Sequence, residues 1–313
     1  MSLDEAHLPQ LGGGVFLGYF GMETDLIFNQ GVDLPGFASY PLLETITGRD
    51  TLRHYCSELV GLAREVGAGV VLETPTWVAN RDRGAEIGYD PARLQELNRA
   101  GVDLIRGVRD DNDDVETVLS CTVGPRHDAY NPESYMSVGE AQRYHSEQIG
   151  WVADTGIDMI GAYTLAYPEE AAGVGLAARA ASLPVVVGFT VETDGRLPNG
   201  QSLEAAIGYV DTATGDGVAY YVINCAHPDH FDDVLEDAPW MSRVRGVIAN
   251  ASRCSHEELD SSEVLDDGDP VELGELISGI RTRFPHVGVV GGCCGTDMRH
   301  MAEIARATQA IKP

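Results

Sequence analysis

Eight short, nearly continuous apolar runs rich in β-branched residues recur along the chain, at 15–17, 70–72, 117–123, 159–164, 184–191, 219–225, 244–251 and 288–290. Runs without polar alternation suit strands buried on both faces, as in parallel sheets. Between them lie stretches with helical spacing. Residues 51–65 place Leu52, Tyr55, Leu59 and Leu62 on one face and close at Gly67. Ser137 and Glu140 form a capping-box pattern that opens a helix to about Asp154. Further helical segments are expected at 168–181, 202–210, 271–284 and 297–307. Strands alternating with helices imply a parallel sheet with right-handed crossovers. Eight such units favour closure into a (β/α)8 TIM barrel over an open sheet. The 313 residues are read as one barrel domain, 1–313, with its longest insertions at about 24–50 and at 252–270. Chemistry in such a barrel belongs at the C-terminal ends of the strands.

The formal charge of −28 repels nucleic acid and anionic membranes, and both are discounted as partners. Lys312 is the only lysine in the chain. The acidic surface fits either a well-solvated surface with a compositional bias or a salt-rich cytoplasm. No apolar run reaches the length of a membrane span, and Met1 to Gly14 does not read as a secretory signal. Six cysteines, two of them adjacent, suit metal or redox chemistry in a reducing compartment, so a cytoplasmic location is expected.

Gly291-Gly292-Cys293-Cys294-Gly295-Thr296 stands at the end of the eighth run and Asn224-Cys225 at the end of the sixth. Successive strand side chains point to opposite faces, so adjacent cysteines meet one metal only where the strand has ended and the backbone bends. Strand ends open onto one central mouth, where Cys225, Cys293 and Cys294 converge in this reading. Three thiolates with a fourth position free describe a catalytic zinc site. A vicinal redox pair and inert packing of small apolar side chains remain alternatives at this point. Cys56, Cys121 and Cys254 are read as structural. His227 and His230 follow Cys225 closely and are placed in a loop or first helical turn rather than on the metal.

These residues resemble the homocysteine S-methyltransferase family. The resemblance covers nearly the whole chain: Gly21-Met22-Glu23-Thr24-Asp25-Leu26, Glu73-Thr74-Pro75-Thr76, Gly124-Pro125, the segment from Gly195 to Leu203, Asn224-Cys225, Asn250 and the double-cysteine motif. It implies a barrel, Zn2+ on Cys225, Cys293 and Cys294, and methyl transfer to a zinc-bound thiolate, a step of methionine biosynthesis. It also implies substrate contacts from Met22, Glu23, Thr24, Glu73, Tyr163, Asn224 and Asn250, with no catalytic residue beyond the zinc site. Two departures stand out. Gly18 and Tyr163 occupy positions where the family carries acids that hold the amino group of homocysteine. Their absence predicts weak homocysteine use unless Glu23 supplies a carboxylate instead.

The expected function is a zinc-dependent S-methyltransferase that takes a methyl group from a sulfonium or quaternary ammonium donor, either of which leaves neutral. The acceptor is homocysteine or a related thiol. A zinc hydrolase or lyase on the same barrel and a catalytically inactive thiol- or metal-binding homologue are the alternatives. The partners are small molecules, and self-association into a homo-oligomer is left open.

Overall fold

The computed structural model describes residues 8–132 and 134–309, the side chain of Asp260 excepted. Much of the segment from Met1 to Gly14, and Lys312, therefore lie outside the described residues. Every expected run contains a strand: β1 Phe16–Leu17, β2 Gly69–Glu73, β3 Thr117–Val123, β4 Met159–Leu165, β5 Val185–Phe189, β6 Tyr220–Asn224, β7 Val244–Ala249 and β8 Val289–Gly292. All pair in parallel and in sequence order, and β8 pairs back to β1, which closes the barrel.

The pleat divides the apolar residues into two layers. Phe16, Val71, Val118, Val186, Tyr220 and Val289 fill the barrel axis. The alternate residues, among them Leu17, Val70, Leu119, Ile160 and Val290, pack outward against helices. Burial of each such side chain stabilises by about 1.5–3 kcal/mol. The N-terminal segment stops the bottom of the barrel: Leu8 and Leu11 join the axial layer, and Gln10 Nε2 donates to the Tyr220 hydroxyl at 3.3 Å.

The helices Val138–Val152, Pro168–Ala180, Leu203–Thr214, Pro270–Arg283 and Met298–Gln309 lie where the pattern puts them, and the Ser137–Glu140 capping box forms. Two differences have local causes. The first long helix runs Ile46–Val66, several residues earlier than expected, because Thr45 Oγ1 accepts from Gly48 N at 3.0 Å and sets the start there. The helix Pro91–Asp110 was not anticipated, although Asp90 caps it and Pro91 occupies its first turn. The β6 connection carries only the short helix Pro228–Phe231 and two 3-10 turns. No helix among the described residues is long and apolar enough to cross a membrane.

Candidate metal centre

β6 stops at Asn224 and β8 at Gly292, so all three candidate cysteines lie just past strand ends. Cys225 has φ of 54°, a left-handed conformation uncommon for a residue with a Cβ, and its N–H donates to Ile248 O at 2.9 Å. After β8 the chain turns at once. Cys293 N donates to Ala249 O at 2.7 Å, and Thr296 N and Oγ1 donate to Cys293 O at 3.1 and 2.7 Å. Gly295 takes φ of 78° at this turn. A Cβ on Gly21 would lie 2.3 Å from Cys293 O, so the loop after β1 packs backbone to backbone on the double-cysteine turn. Thr24 Oγ1 fastens the same contact by accepting from Gly295 N at 3.1 Å.

This bend brings both neighbouring thiols toward Cys225. The three sulfurs lie within 4.8 Å of one another, and they form the metal-competent group of His, Cys, Asp and Glu found among the described residues. Cys225 and Cys294 Sγ are 3.6 Å apart. Hydrogen bonds from Cys293 and then Cys294 hold Cys225 well below the ordinary thiol value, against its burial. The two donors are pushed up, first by their bond to Cys225. Such a cluster gains from a cation that lets all three thiols ionise.

The sulfurs open on a pocket that also receives two carboxylic acids, the buried Glu23 and the partly buried Glu73. Glu23 is pushed up to about 6 by burial, which outweighs the hydrogen bond from Ser39 Oγ at 2.7 Å. The Tyr19 hydroxyl also donates to it. Glu73 is pushed up to about 7 by burial, against hydrogen bonds from Tyr163 and from Thr122 Oγ1 at 3.3 Å, and the charge of Glu23 raises it further. Thr24, Tyr163, Asn224 and Trp77 complete the lining that matters here.

Not every expected contact faces this pocket. Met22 is buried in the apolar core beside Leu52 and Tyr55, because the turn Met22–Thr24 sends Glu23 inward and Met22 outward. Asn224 is on the lining, yet its amide is engaged: Oδ1 accepts from Thr164 N at 2.9 Å and Nδ2 donates to Thr164 Oγ1 at 2.8 Å. It thereby secures Thr164, whose φ of 64° coincides with the register shift between β4 and β5. Asn250 lies on the far side of the sulfurs, with Nδ2 3.8 Å from Cys225 Sγ. Gly18 contributes no lining, and a Cβ there would meet Ile248 Cδ1 at 2.8 Å. His227 caps the helix Pro228–Phe231, and His230 Nε2 bonds Arg253 O at 2.9 Å; neither joins the sulfur cluster. Cys56, Cys121 and Cys254 are also apart from it.

Tyr130, Trp77 and His256 escaped the sequence reading. Trp77 had a signal in Gly124, where a Cβ would come within 2.6 Å of Trp77 O and 2.7 Å of its indole nitrogen. Tyr130 sits in an irregular loop with no periodicity to mark it, and His256 opens the short helix His256–Asp260, whose start the Ser255–Glu258 capping box marks.

The family model described as homocysteine S-methyltransferase matches residues 58–308. Methionine synthase of Mycobacterium tuberculosis is 28% identical over 261 residues, which are 79% of this chain and 21% of that protein. Methionine synthase of Mycobacterium leprae is 28% identical over 256 residues, 78% of this chain and 20% of the relative. The chain thus spans about a fifth of the length of these relatives. Among solved structures, the homocysteine methyltransferase MmuM from Escherichia coli shares the fold. Its metallated form has a TM-score of 0.68 at 18% identity over 95% of both chains. Its oxidized form has a TM-score of 0.71 at 18% identity over 96% of this chain and 98% of the other.

Proposed function

The chain belongs to the homocysteine S-methyltransferase family and is a methyltransferase; from that premise we propose that it transfers a methyl group to the zinc-bound thiolate of homocysteine or a closely related aminothiol. The observation that carries the proposal is the shared pocket, with Cys225, Cys293 and Cys294 on one wall and the carboxyl groups of Glu23 and Glu73 on another.

The donor set fits zinc. Three thiolates select a soft or borderline cation over magnesium or calcium, and three protein ligands leave a fourth position for substrate. Zinc bound there would supply Lewis acidity, which lowers the pKa of a coordinated thiol below its free value of about 8.5. The rest is the work of the protein. Cys225 and the double-cysteine turn hold the sulfurs at the mouth of the barrel. Tyr19 and Ser39 orient Glu23, while Thr122 and Tyr163 orient Glu73. Both acids are poised near neutrality by burial, and an entering ammonium group favours their ionised forms. In this reading Glu23, beside Glu73 on the pocket lining, supplies a carboxylate in place of the acids absent at Gly18 and Tyr163. The pocket position of Glu23 favours the exception to the expected weak homocysteine use, in which Glu23 supplies the carboxylate.

The donor in this reading is a small sulfonium or quaternary ammonium compound that leaves neutral. We take 1–313 as a single catalytic domain acting in the cytoplasm on free small molecules. The test is a mass-spectrometric screen of zinc-loaded protein, with homocysteine and its amino-free analogue 3-mercaptopropane-1-carboxylate as acceptors and S-methylmethionine, S-adenosylmethionine and betaine as donors. Methylated homocysteine from one donor, formed at least about tenfold more efficiently than the amino-free product, supports the proposal. Equal use of both acceptors removes the role given to the carboxylates.

A further inference from the structure

Tyr130 enters the site from the loop between β3 and the helix Val138–Val152, and that loop is held at both ends. Arg126 N donates to the buried Glu170 Oε1 at 2.8 Å, and Met136 N donates to the Tyr167 hydroxyl at 3.1 Å. Glu170 is itself fixed by His145 at 2.9 Å. Between these anchors, Asp128 Oδ1 accepts from Tyr130 N at 2.9 Å and Asn131 N at 2.7 Å. The Tyr130 ring lies 3.7 Å from the ring of His256, at 24°. His256 comes from the acidic insertion after β7, and its Nε2 bonds the carbonyl oxygen of Cys225 at 3.0 Å. The Tyr130 hydroxyl donates to Cys225 Sγ at 3.1 Å. Two loops from opposite sides of the barrel thus grip one cysteine, one at its backbone and the other at its sulfur.

We propose that Tyr130, held in place by its stack on His256, is a positioning residue that donates a hydrogen bond to the Cys225 ligand sulfur and thereby sets how much electron density this sulfur gives the metal. The inference rests on the zinc reading above. A thiolate that accepts a hydrogen bond binds its electrons more tightly and donates less, so the metal keeps more of its charge for the acceptor. Outer partners of metal ligands act in this way generally, and their removal costs about 10- to 100-fold in activity or metal affinity. The bond also fixes one side-chain torsion of a residue whose backbone is already in an uncommon conformation.

The test uses full-length protein loaded with Co2+, whose sulfur-to-metal charge-transfer absorption reports the electron density on the ligand sulfurs. Tyr130→Phe keeps the ring and its stack and removes only the hydroxyl. Its charge-transfer band is expected at longer wavelength than that of the natural chain, with cobalt content unchanged and kcat on the homocysteine reaction lowered by about tenfold. His256→Ala, which removes the base of the stack, is expected to shift the band in the same direction. Tyr135→Phe, an exposed residue of the same loop, serves as the control and leaves the spectrum alone. If Tyr130→Phe and the natural chain give superimposable cobalt spectra, the role given to Tyr130 is wrong while the metal reading stands. If the natural chain shows no sulfur-to-cobalt band at all, the metal reading falls, and this inference with it.

Discussion

The two walls of the pocket were built under different constraints. The sulfur wall, at the ends of β6 and β8, depends on residues that touch one another across a short backbone turn, so its three cysteines sit in compact motifs. The acid wall, at the ends of β1, β2 and β4, depends only on where carboxylates end up in space. Glu23 reaches it from a helical turn and Glu73 from a strand end, while Gly18 and Tyr163 carry no acid. Geometry at a metal is tied to sequence spacing, whereas charge opposite a flexible ammonium can be moved from one element to another.

The largest effects are expected on the sulfur wall. Changing Cys225, Cys293 or Cys294 to Ser should remove zinc and depress methyl transfer by more than about 100-fold, beyond the loss typical of an outer-shell partner. Cys56→Ser should retain both, because Cys56 lies on the helix Ile46–Val66 away from the cluster. Metal analysis of purified variants checks this, and full zinc in all three site variants breaks the asymmetry between the walls.

Next come the acids. Glu23→Gln or Glu73→Gln should raise the KM for homocysteine by about 10- to 150-fold, the worth of one charged hydrogen bond at about 1.5–3 kcal/mol. The KM for an amino-free thiol should move little, and zinc content should stay constant. Equal effects on both thiols would mean that the acids support the fold or the metal instead of the ammonium.

The pH dependence sharpens the same point. Glu23 titrates at about 6 and Glu73 at about 7 in the unliganded protein. Apparent affinity for homocysteine should therefore rise more steeply through that range than affinity for the amino-free thiol, which shares only the rise that comes from losing the thiol proton. Stability runs the other way. The folded-state value of Glu73 lies above its ordinary 4.5, so its stabilising contribution is complete below 4.5 and is lost as pH rises through about 7. Thermal melts of the acceptor-free protein should show this slope, and Glu73→Gln should flatten it.

The smallest effect belongs to Tyr163. Its phenol is only one of the partners of Glu73, so Tyr163→Phe should raise the homocysteine KM by about two- to tenfold, as for a neutral hydrogen bond. A larger change than that seen in Glu73→Gln would make Tyr163 a direct substrate contact.

The barrel was legible because strands buried on both faces leave unbroken apolar runs, and each of the eight runs holds a strand. The helix Pro91–Asp110 was missed even though Asp90, Pro91 and the buried Leu94, Leu97, Val102 and Ile105 mark it. The cysteines were legible because their chemistry demands a bend flanked by glycine. The fate of Met22 was not, since a residue beside Glu23 in a single turn faces inward or outward according to a backbone angle that no pattern records. Asn224 matches its family position, and only the structure shows its amide spent on holding Thr164. Tyr130 in its loop and His256 at the start of the helix His256–Asp260 meet across the barrel mouth although 126 residues apart in sequence, and no local signal links the two.

Zinc-edge X-ray absorption of the zinc-loaded protein, with and without homocysteine, tests the central claim most directly. Three protein sulfurs around zinc, rising to four when homocysteine binds, is the result this account predicts. An unchanged sulfur count on adding homocysteine, or a zinc held mainly by nitrogen and oxygen, would contradict it.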